Sequence, residues 1–306
     1  MSPTLFQHFS YSIIKLSRLI LLTLVFICLS TPSTISKDPT HLISLYQSFN
    51  QYITSNPNYR TSILYWDINS GEQVGVFQHQ PFNPASIIKV PILIEAFNRV
   101  YDDSLFFNQQ VTMTYTDKQH GSGVIRYHPS GSSYSIYELL KYMIHHSDNT
   151  ATKLIIDSLG IPSINRIFQN HDLIQSQILT SNLLHADGLN TMTASDMGTL
   201  LFKLATHQLF GQRISNTILQ WMNQPIYRWG IPKHIPKSIQ VANKTGTLNG
   251  LANDSGIVFY PNAPYIVVIS IFMPNQSFIT ARKEVAKISK VIYDWKCKVQ
   301  YNQLEN

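Results

Sequence analysis

The apolar residues of this chain first form a regular pattern between residues 39 and 53. They recur there at three- and four-residue intervals, which is the spacing of one helix face. Residues 62–68 and 73–78 follow as two β-branched and aromatic runs, separated by the turn sequence Asn69-Ser70-Gly71. The chain after residue 39 is therefore predicted to begin with an amphipathic helix and a β-hairpin.

Residues 87–97 are apolar on nearly every side, as expected of a buried helix. Pro91 is tolerated only in the first turn of a helix, so this helix is predicted to start near Ser86. Helical spacing then dominates residues 134–223, and strand patterns return at 240–247, 255–260 and 265–272 before a closing helix at 285–295. The helical patterns between the two groups of strands cover residues 137–146, 151–159, 163–168, 195–207 and 214–222.

This order of elements predicts an α+β fold. The two groups of strands can join in one five-stranded antiparallel sheet only if the helical segment, about residues 98–235, is an insertion. The terminal helices would then flank the sheet, and the inserted all-helical lobe would leave a cleft beside it.

The first 36 residues differ from the rest and resemble a signal peptide. Lys15 and Arg18 precede an apolar run at 19–29, and small and polar residues follow at 30–36. Cleavage could follow Ser33 or Ser36, and the catalytic domain is expected at residues 37–306, exported to the periplasm or secreted, without stable membrane insertion. The alternative is an uncleaved N-terminal anchor, although about eleven apolar residues are too few to span a bilayer comfortably.

Charge and cysteine content exclude several classes of function. The chain has 23 Lys and Arg against 17 Asp and Glu, and removal of the first 36 residues would reduce the net charge from +6 to +4. This mild, dispersed charge does not favour nucleic-acid binding. Cys28 lies in the signal peptide, so only Cys297 would remain and no internal disulfide could form. Neither a metal-ligand spacing nor a nucleotide-binding glycine loop is apparent, so no metal or other cofactor is expected.

The sequence Ser86-Ile87-Ile88-Lys89 is the first candidate for chemistry. A serine three residues before a lysine on a helix shares a face with it. At a helix start its hydroxyl lies near free N–H groups, and a partly desolvated lysine can take its proton. The same four letters occur at residues 12–15, and a plain helix cap with a surface charge is the alternative.

Ser147-Asp148-Asn149 is the second candidate and lies between two predicted helices. All three residue types can donate or accept hydrogen bonds at a reaction centre. They are also the commonest helix N-caps, which is the alternative interpretation.

Lys244-Thr245-Gly246-Thr247 is the third candidate, on the first returning strand. A glycine within a strand often marks the close approach of a ligand backbone. The alternative is a strand end with exposed polar residues.

Taken together and in this order, the three motifs resemble those of the class A β-lactamases and the related penicillin-binding D,D-peptidases. The resemblance covers almost all of the chain after residue 36. It includes Gly121-Ser122-Gly123 before the helical segment and the Gly256-Ile257 pair after the third motif.

The resemblance implies catalytic roles for four side chains. Ser86 would attack the carbonyl and carry the acyl group, with Lys89 assisting removal of its proton. Ser147, linked to Lys244, would pass a proton to the leaving nitrogen. Backbone N–H groups of Ser86 and Thr247 would form the oxyanion hole.

The resemblance also implies a substrate-binding set. Asn149 would bind the amide side chain of the substrate, and Thr245, Gly246 and Thr247 would line the position of its carboxylate. Arg282 is a candidate for the additional cation that relatives use there, or else a charge on the surface of the last helix. The implied substrates are β-lactams or cell-wall peptides that end in D-Ala-D-Ala.

One departure from the family concerns deacylation. Class A β-lactamases use a glutamate between the second and third motifs to activate water, and this chain has none between Glu138 and Glu284. In the loop of residues 171–190, before the helix predicted to begin near Ala194, Asp172 and Asp187 are the available carboxylates, and each is more simply a turn or cap residue. The absence favours an enzyme that deacylates slowly. The alternatives are a true β-lactamase with a rearranged loop, and a sensor that is acylated and does not turn over.

Overall fold

The computed structural model describes residues 40–104, 106–182 and 189–305, and its strands belong to two sheets. The strands are β1 (Arg60–Asp67), β2 (Gln73–Val76), β3 (Gln110–Thr112), β4 (Ser133–Ser135), β5 (Val241–Leu248), β6 (Leu251–Val258) and β7 (Tyr265–Phe272). Five of them form an antiparallel sheet in the order β2-β1-β7-β6-β5, so the predicted five-stranded sheet is confirmed and β5 is an edge strand.

Eight α-helices surround this sheet among the described residues. They are α1 (Thr40–Ser55), α2 (Lys89–Asp102), α3 (Ile136–His145), α4 (Asn149–Leu159), α5 (Ile161–Asn170), α6 (Ala194–Ala205), α7 (Gln212–Met222) and α8 (Phe278–Glu305). Helices α2 to α7 lie between β2 and β5 in the chain, as the pattern predicts for an inserted lobe. The insertion also contains the short hairpin of β3 and β4, which the sequence pattern did not indicate.

Each face of the five-stranded sheet has its own apolar core, because successive side chains of a strand point to opposite faces. Ile63 and Val267 pack with residues of the two terminal helices, such as Phe49 of α1 and Val285 of α8. Leu64 faces the other way, into the core that it shares with the helices of the insertion. The sheet therefore separates the terminal helices from the inserted helices, and residues 42–306 form one compact unit.

A buried ion pair links the last helix to the sheet. Lys296 of α8 donates to Asp67 at the end of β1 over 2.7 Å, and both side chains are largely shielded from solvent. Their partnership and the hydrogen bonds from the turn after β1 hold the pKa of the Asp67 carboxyl below its usual value, although its burial acts in the opposite direction. α8 extends past the predicted segment of residues 285–295 at both ends, and this pair joins it to the sheet one residue after that segment.

The predicted signal peptide and its cleavage positions lie outside the described residues. Within the described part of the chain, no helix combines the length and apolar character needed to cross a bilayer.

Candidate active site

Ser86 lies in a 3₁₀ turn, Ala85–Ile88, that leads directly into α2. Ala85 has a φ of +45°, which a residue with a Cβ seldom adopts and which costs conformational energy. The Asn83 side chain supports this turn by accepting a 2.9 Å hydrogen bond from the Ala85 amide. Pro91 falls in the first turn of α2, as the sequence predicts, so the chain positions Ser86 at the N-terminal end of a buried helix.

Lys89 is fully buried one turn after Ser86, and its amine contacts groups from two motifs. Its Nζ lies 2.7 Å from the Ser147 carbonyl oxygen and 2.8 Å from Asn149 Oδ1, and it donates to both. Ser86 Oγ is 3.1 Å from the same nitrogen. Ser147 Oγ is a fourth oxygen neighbour at 3.2 Å, and a neutral amine here could offer its two protons to acceptors and its lone pair to the Ser86 hydroxyl.

The charge state of Lys89 follows from its surroundings. Burial, and then the positive charge of Lys244, hold the pKa of the Lys89 amine well below its ordinary value, and nearby Asp148 opposes this only in part. Lys89 is therefore suited to accept a proton from Ser86.

The second motif forms the loop between α3 and α4. Ser147 has a φ of +53°, and Asp148 caps α4 by accepting from the Ala151 amide over 2.9 Å. The other Asp148 oxygen accepts from the Val124 and Ile125 amides. The helix-cap interpretation is thus correct for Asp148, which fixes the loop and leaves the two flanking residues facing the site.

Gly123 allows this loop to pack closely against the preceding segment. A Cβ at Gly123 would lie 2.2 Å from Asp148 Oδ2. Asn149 is anchored in turn, because its Nδ2 donates to the His120 carbonyl over 2.8 Å while its Oδ1 receives the Lys89 contact.

Lys244 on β5 contacts Ser147, the serine that also lies beside Lys89, from the opposite side. Its Nζ donates to Ser147 Oγ over 2.8 Å and to the Thr245 carbonyl over 2.9 Å. Ser147 Oγ is also 3.2 Å from Lys89 Nζ, so this hydroxyl connects the two amines. Burial lowers the pKa of Lys244 to about 7, and the charge of Asp254 acts against that shift.

Asp254 is a buried carboxylate that the sequence pattern missed. It lies on β6 opposite Thr245, and it accepts hydrogen bonds from the Ile231 amide and from Asn243 Nδ2. Burial raises the pKa of its carboxyl to about 7. The Asn-Asp sequence at 253–254 looks like a turn, and only the apolar residues that follow it could have indicated a strand.

Gly246 fits against the turn that carries Ser86. A Cβ at this position would lie 2.8 Å from the Ser86 amide nitrogen and 2.9 Å from the Pro84 carbonyl oxygen. A glycine is therefore required at position 246 because the backbone next to Ser86 approaches it closely. Thr245 is buried and Thr247 is partly exposed, and both lie on the sheet face opposite Gly246.

Arg282 of α8 lies beside this part of the strand. Its Nη2 is 3.4 Å from Thr247 Oγ1, and its guanidinium stacks on the rings of Trp229 and Phe278. Partial burial lowers the pKa of the Arg282 guanidinium, which Tyr227 opposes. Trp229 and Phe278 are not recognisable as site residues from the sequence, because isolated aromatic residues occur throughout the chain.

Ser86, Ser147, Asn149 and the residues around Thr245 line one cleft of about 540 Å³, behind which Lys89 and Lys244 are buried. Among the described residues its lining contains no Asp or Glu, and it comprises Ala85, Ser86, Gly121, Ser122, Ser147, Asn149, Tyr227, Trp229, Thr245, Gly246, Thr247, Leu248, Asn249, Phe278 and Arg282. Asp172 is exposed in the turn after α5, with a φ of +57°, and is not part of the lining. Asp187 lies outside the described residues.

A serine at a helix start, a buried amine beside it and a second serine held by another amine define an active-site serine hydrolase. The chain belongs to the beta-lactamase enzyme family, whose sequence profile matches residues 44–296.

Named relatives agree with this assignment. Beta-lactamase VEB-1 of Pseudomonas aeruginosa is 24% identical over 266 residues, which are 81% of this chain and 87% of that protein. The structure of PBP-A is 28% identical with a TM-score of 0.78, covering 83% of this chain and 96% of PBP-A. A mutant of PBP-A described as an acyl-enzyme complex with penicillin G is 27% identical with a TM-score of 0.79, over 84% of this chain and 97% of the mutant.

Proposed function

We propose that this protein is acylated at Ser86 by β-lactams and by peptides ending in D-Ala-D-Ala, and that it releases the acyl group slowly. One observation carries this proposal. The hydrogen-bonded chain from Ser86 through Lys89 and Ser147 to Lys244 is complete, whereas the described lining of the cleft has no carboxylate to activate water.

Acylation needs a proton to leave Ser86 as its oxygen attacks the carbonyl carbon. Neutral Lys89 is positioned to accept that proton, since its nitrogen is 3.1 Å from Ser86 Oγ. When the C–N bond breaks, the leaving nitrogen must gain a proton. Ser147 can donate its own proton there and recover one from Lys89 over 3.2 Å, which returns Lys89 to its neutral form.

Lys244 assists both chemistry and binding. Its hydrogen bond holds Ser147 Oγ in place, and its positive charge favours a substrate carboxylate near Thr245 and Thr247. Arg282, close to Thr247, would add a second cation on the same side of the cleft. Asn149 uses one of its amide protons on His120, which leaves the other for the carbonyl of the substrate side chain.

The oxyanion that forms during attack needs two preorganised donors. The backbone N–H groups of Ser86 and Thr247 are the candidates. Gly246 supports this arrangement, because without a side chain there β5 can approach the Ser86 turn closely.

Deacylation would lack the general base that the resemblance leads one to expect. Loss of such a base slows a proton-transfer step by about 10²–10⁴-fold. The likeness to a PBP-A mutant described as an acyl-enzyme complex with penicillin G supports the proposal that a penicillin acylates this chain too.

A second candidate is a β-lactamase that hydrolyses β-lactams rapidly. The relatives that are named β-lactamases favour it, and Asp187 or Lys89 would then have to activate the water. A sensor that is acylated without turnover is a third candidate, but the intact contacts among Lys89, Ser147 and Lys244 favour an enzyme over it.

The proposed domain organisation is a signal peptide of residues 1–36 followed by a catalytic domain of residues 37–306. The cationic start and the apolar run at 19–29 support export. A cell-wall peptide substrate would be encountered outside the cytoplasm, which is consistent with the proposed reaction.

Intact mass spectrometry after mixing with benzylpenicillin tests the acylation. The wild-type protein is expected to gain the mass of one penicillin, and Ser86→Ala is expected to gain none. Ser158→Ala, which removes a hydroxyl on α4 that bonds within its own helix, serves as the matched control and should be acylated normally. An undiminished adduct on Ser86→Ala would disprove the assignment of the nucleophile.

A further inference from the structure

A second cavity, of about 630 Å³, adjoins the catalytic cleft. We call it the sheet groove: its floor is formed by residues of β1, β6 and β7, and one wall by residues 80–83. Leu248 and Asn249 line both the sheet groove and the catalytic cleft. The two spaces therefore meet at the end of β5.

The strand register shows how far the sheet groove extends. Leu248 pairs with Leu251, Leu251 with Phe272, and Phe272 with Arg60, so these four residues form one row across the sheet. Paired residues point to the same face, and Gly246, which lies against Ser86, shares that face. Three interstrand spacings make the row about 14 Å long. The sheet groove thus leads from the neighbourhood of Ser86 to Arg60.

The lining of the sheet groove favours an anionic, hydrogen-bonding ligand. Arg60 is exposed, and it is the one charged residue among the described residues that line this cavity. No ion pair joins Arg60 to any carboxylate in the described part of the chain. The residues Gln80 and Asn249 add exposed amide side chains, and the floor includes the largely buried Ser62, whose hydroxyl donates to the Phe77 carbonyl, and Ser270.

We propose that the sheet groove binds the acyl-side portion of the substrate, upstream of the carbonyl that Ser86 attacks, and that Arg60 pairs with a carboxylate there. This inference rests on the proposed acylation of Ser86. An extended chain advances about 3.3–3.6 Å per residue, so about four residues cover the distance from Leu248 to Arg60. The matching substrate class is an extended peptide with an acidic group at least four residues upstream of the scissile carbonyl, since the distance is counted from Leu248 and not from Ser86.

A series of semi-synthetic penicillins with spacers of increasing length tests this inference. Each carries a spacer of zero to four glycines on the amine of 6-aminopenicillanic acid, capped by either a neutral acetyl or an anionic succinyl group. The second-order rate constant of acylation is measured for every pair. The succinyl compounds are expected to react about two- to fivefold faster at three or four glycines, the range typical of an exposed ion pair, and equally fast with no spacer. The preference should shrink in 0.5 M NaCl.

Variants assign the effect to Arg60. Arg60→Gln should abolish the succinyl preference and Arg60→Lys should retain most of it. Arg213→Gln removes the same charge from the exposed start of α7 and should leave the preference intact. A preference that is absent at every length, or that persists in Arg60→Gln, would overturn the inference.

Benzylpenicillin separates this inference from the proposed function. If it acylates Ser86 and the long succinyl compounds show no advantage, only the role of the sheet groove is wrong. If no penicillin acylates the protein, the proposed function is wrong and the inference falls with it.

Discussion

Gly246 and Ser86 lie so close together that a Cβ on the glycine would be 2.8 Å from the serine amide nitrogen. The backbone of β5 therefore packs directly against the turn that holds Ser86. The atoms that a Cβ would meet belong to the backbone, so rotation of a side chain could not relieve the contact.

Gly246→Ala is predicted to slow acylation by about 10- to 100-fold, because a displacement of about 1 Å at a reacting atom has effects of this size. The measurement is the second-order rate constant of acylation by benzylpenicillin. Gly211→Ala is the matched control, since a Cβ there meets nothing within 4 Å. Equal rates in the two variants would show that the close contact has no role in positioning Ser86.

Lys89 is predicted to act as a base through its neutral form. Lys89→Ala should slow acylation by about 10²–10⁴-fold. Lys89→Arg keeps the positive charge but cannot accept a proton, so it should be impaired to a similar degree. Because burial lowers the pKa of Lys89, wild-type acylation should extend to lower pH than an ordinary lysine would allow, and should decline as the pH falls through that lowered pKa.

Stopped-flow acylation rates between pH 4 and 9, with circular dichroism to verify folding, check this prediction. A folded Lys89→Arg variant with nearly normal acylation would mean that Lys89 supplies charge and not basicity.

Lys244 is predicted to control the binding of carboxylate-bearing substrates. Its pKa is about 7, so the free enzyme holds the positive charge below that pH and loses it above. Acylation by penicillins should therefore weaken as the pH rises through about 7, while acylation by a neutral ester should not show this decline. Lys244→Ala should likewise weaken acylation by penicillins more than acylation by the neutral ester.

Asp254 offers a sharper test of the same relationship. Its pKa is raised to about 7, so its negative charge is present above that pH and there supports the charge of Lys244. Asp254→Asn should therefore shift the pH-dependent decline in acylation by penicillins to lower pH. Asp294→Asn removes a charge from the solvent-facing side of α8 and should leave the pH profile of acylation unchanged. An unshifted profile in Asp254→Asn would contradict the electrostatic coupling.

Local sequence rules predicted much of the fold. Pro91 indicated where the buried helix begins, and α2 starts two residues before it, after the turn that carries Ser86. The start of β6 was predicted four residues late. Asn253 and Asp254 look like turn residues, but they are buried and bonded to neighbours on other segments. Such partners are distant in sequence, so no local pattern reveals them.

The candidate site was predicted through the resemblance of its motifs and not through periodicity. Lys89 and Lys244 meet at Ser147 across separations of 58 and 97 residues. Helical spacing could place Ser86 beside Lys89, but nothing local brings the other two motifs to them. The aromatic contacts of Arg282 and the buried position of Asp254 likewise depend on tertiary packing.

Export is predicted to remove the N-terminal segment. N-terminal sequencing of the exported protein should begin between about residues 31 and 38, as the dimensions of signal peptides suggest. Replacing residues in the apolar run at 19–29 with charged ones should leave the precursor uncleaved. A cell-envelope protein that keeps Met1 and stays in the membrane would instead indicate an uncleaved anchor.

We expect this enzyme to be acylated quickly and to deacylate slowly, and one pre-steady-state experiment measures both steps. The protein is mixed with a chromogenic cephalosporin in excess, and the burst and the steady rate are recorded together. We predict a burst of one equivalent per Ser86, followed by a steady rate about 10²–10⁴-fold slower, as loss of a general base implies. A linear trace with no burst and rapid sustained turnover would contradict the claim. Asp187→Asn would then show whether that carboxylate activates the water, with Asp172→Asn, outside the lining of the cleft, as the matched control.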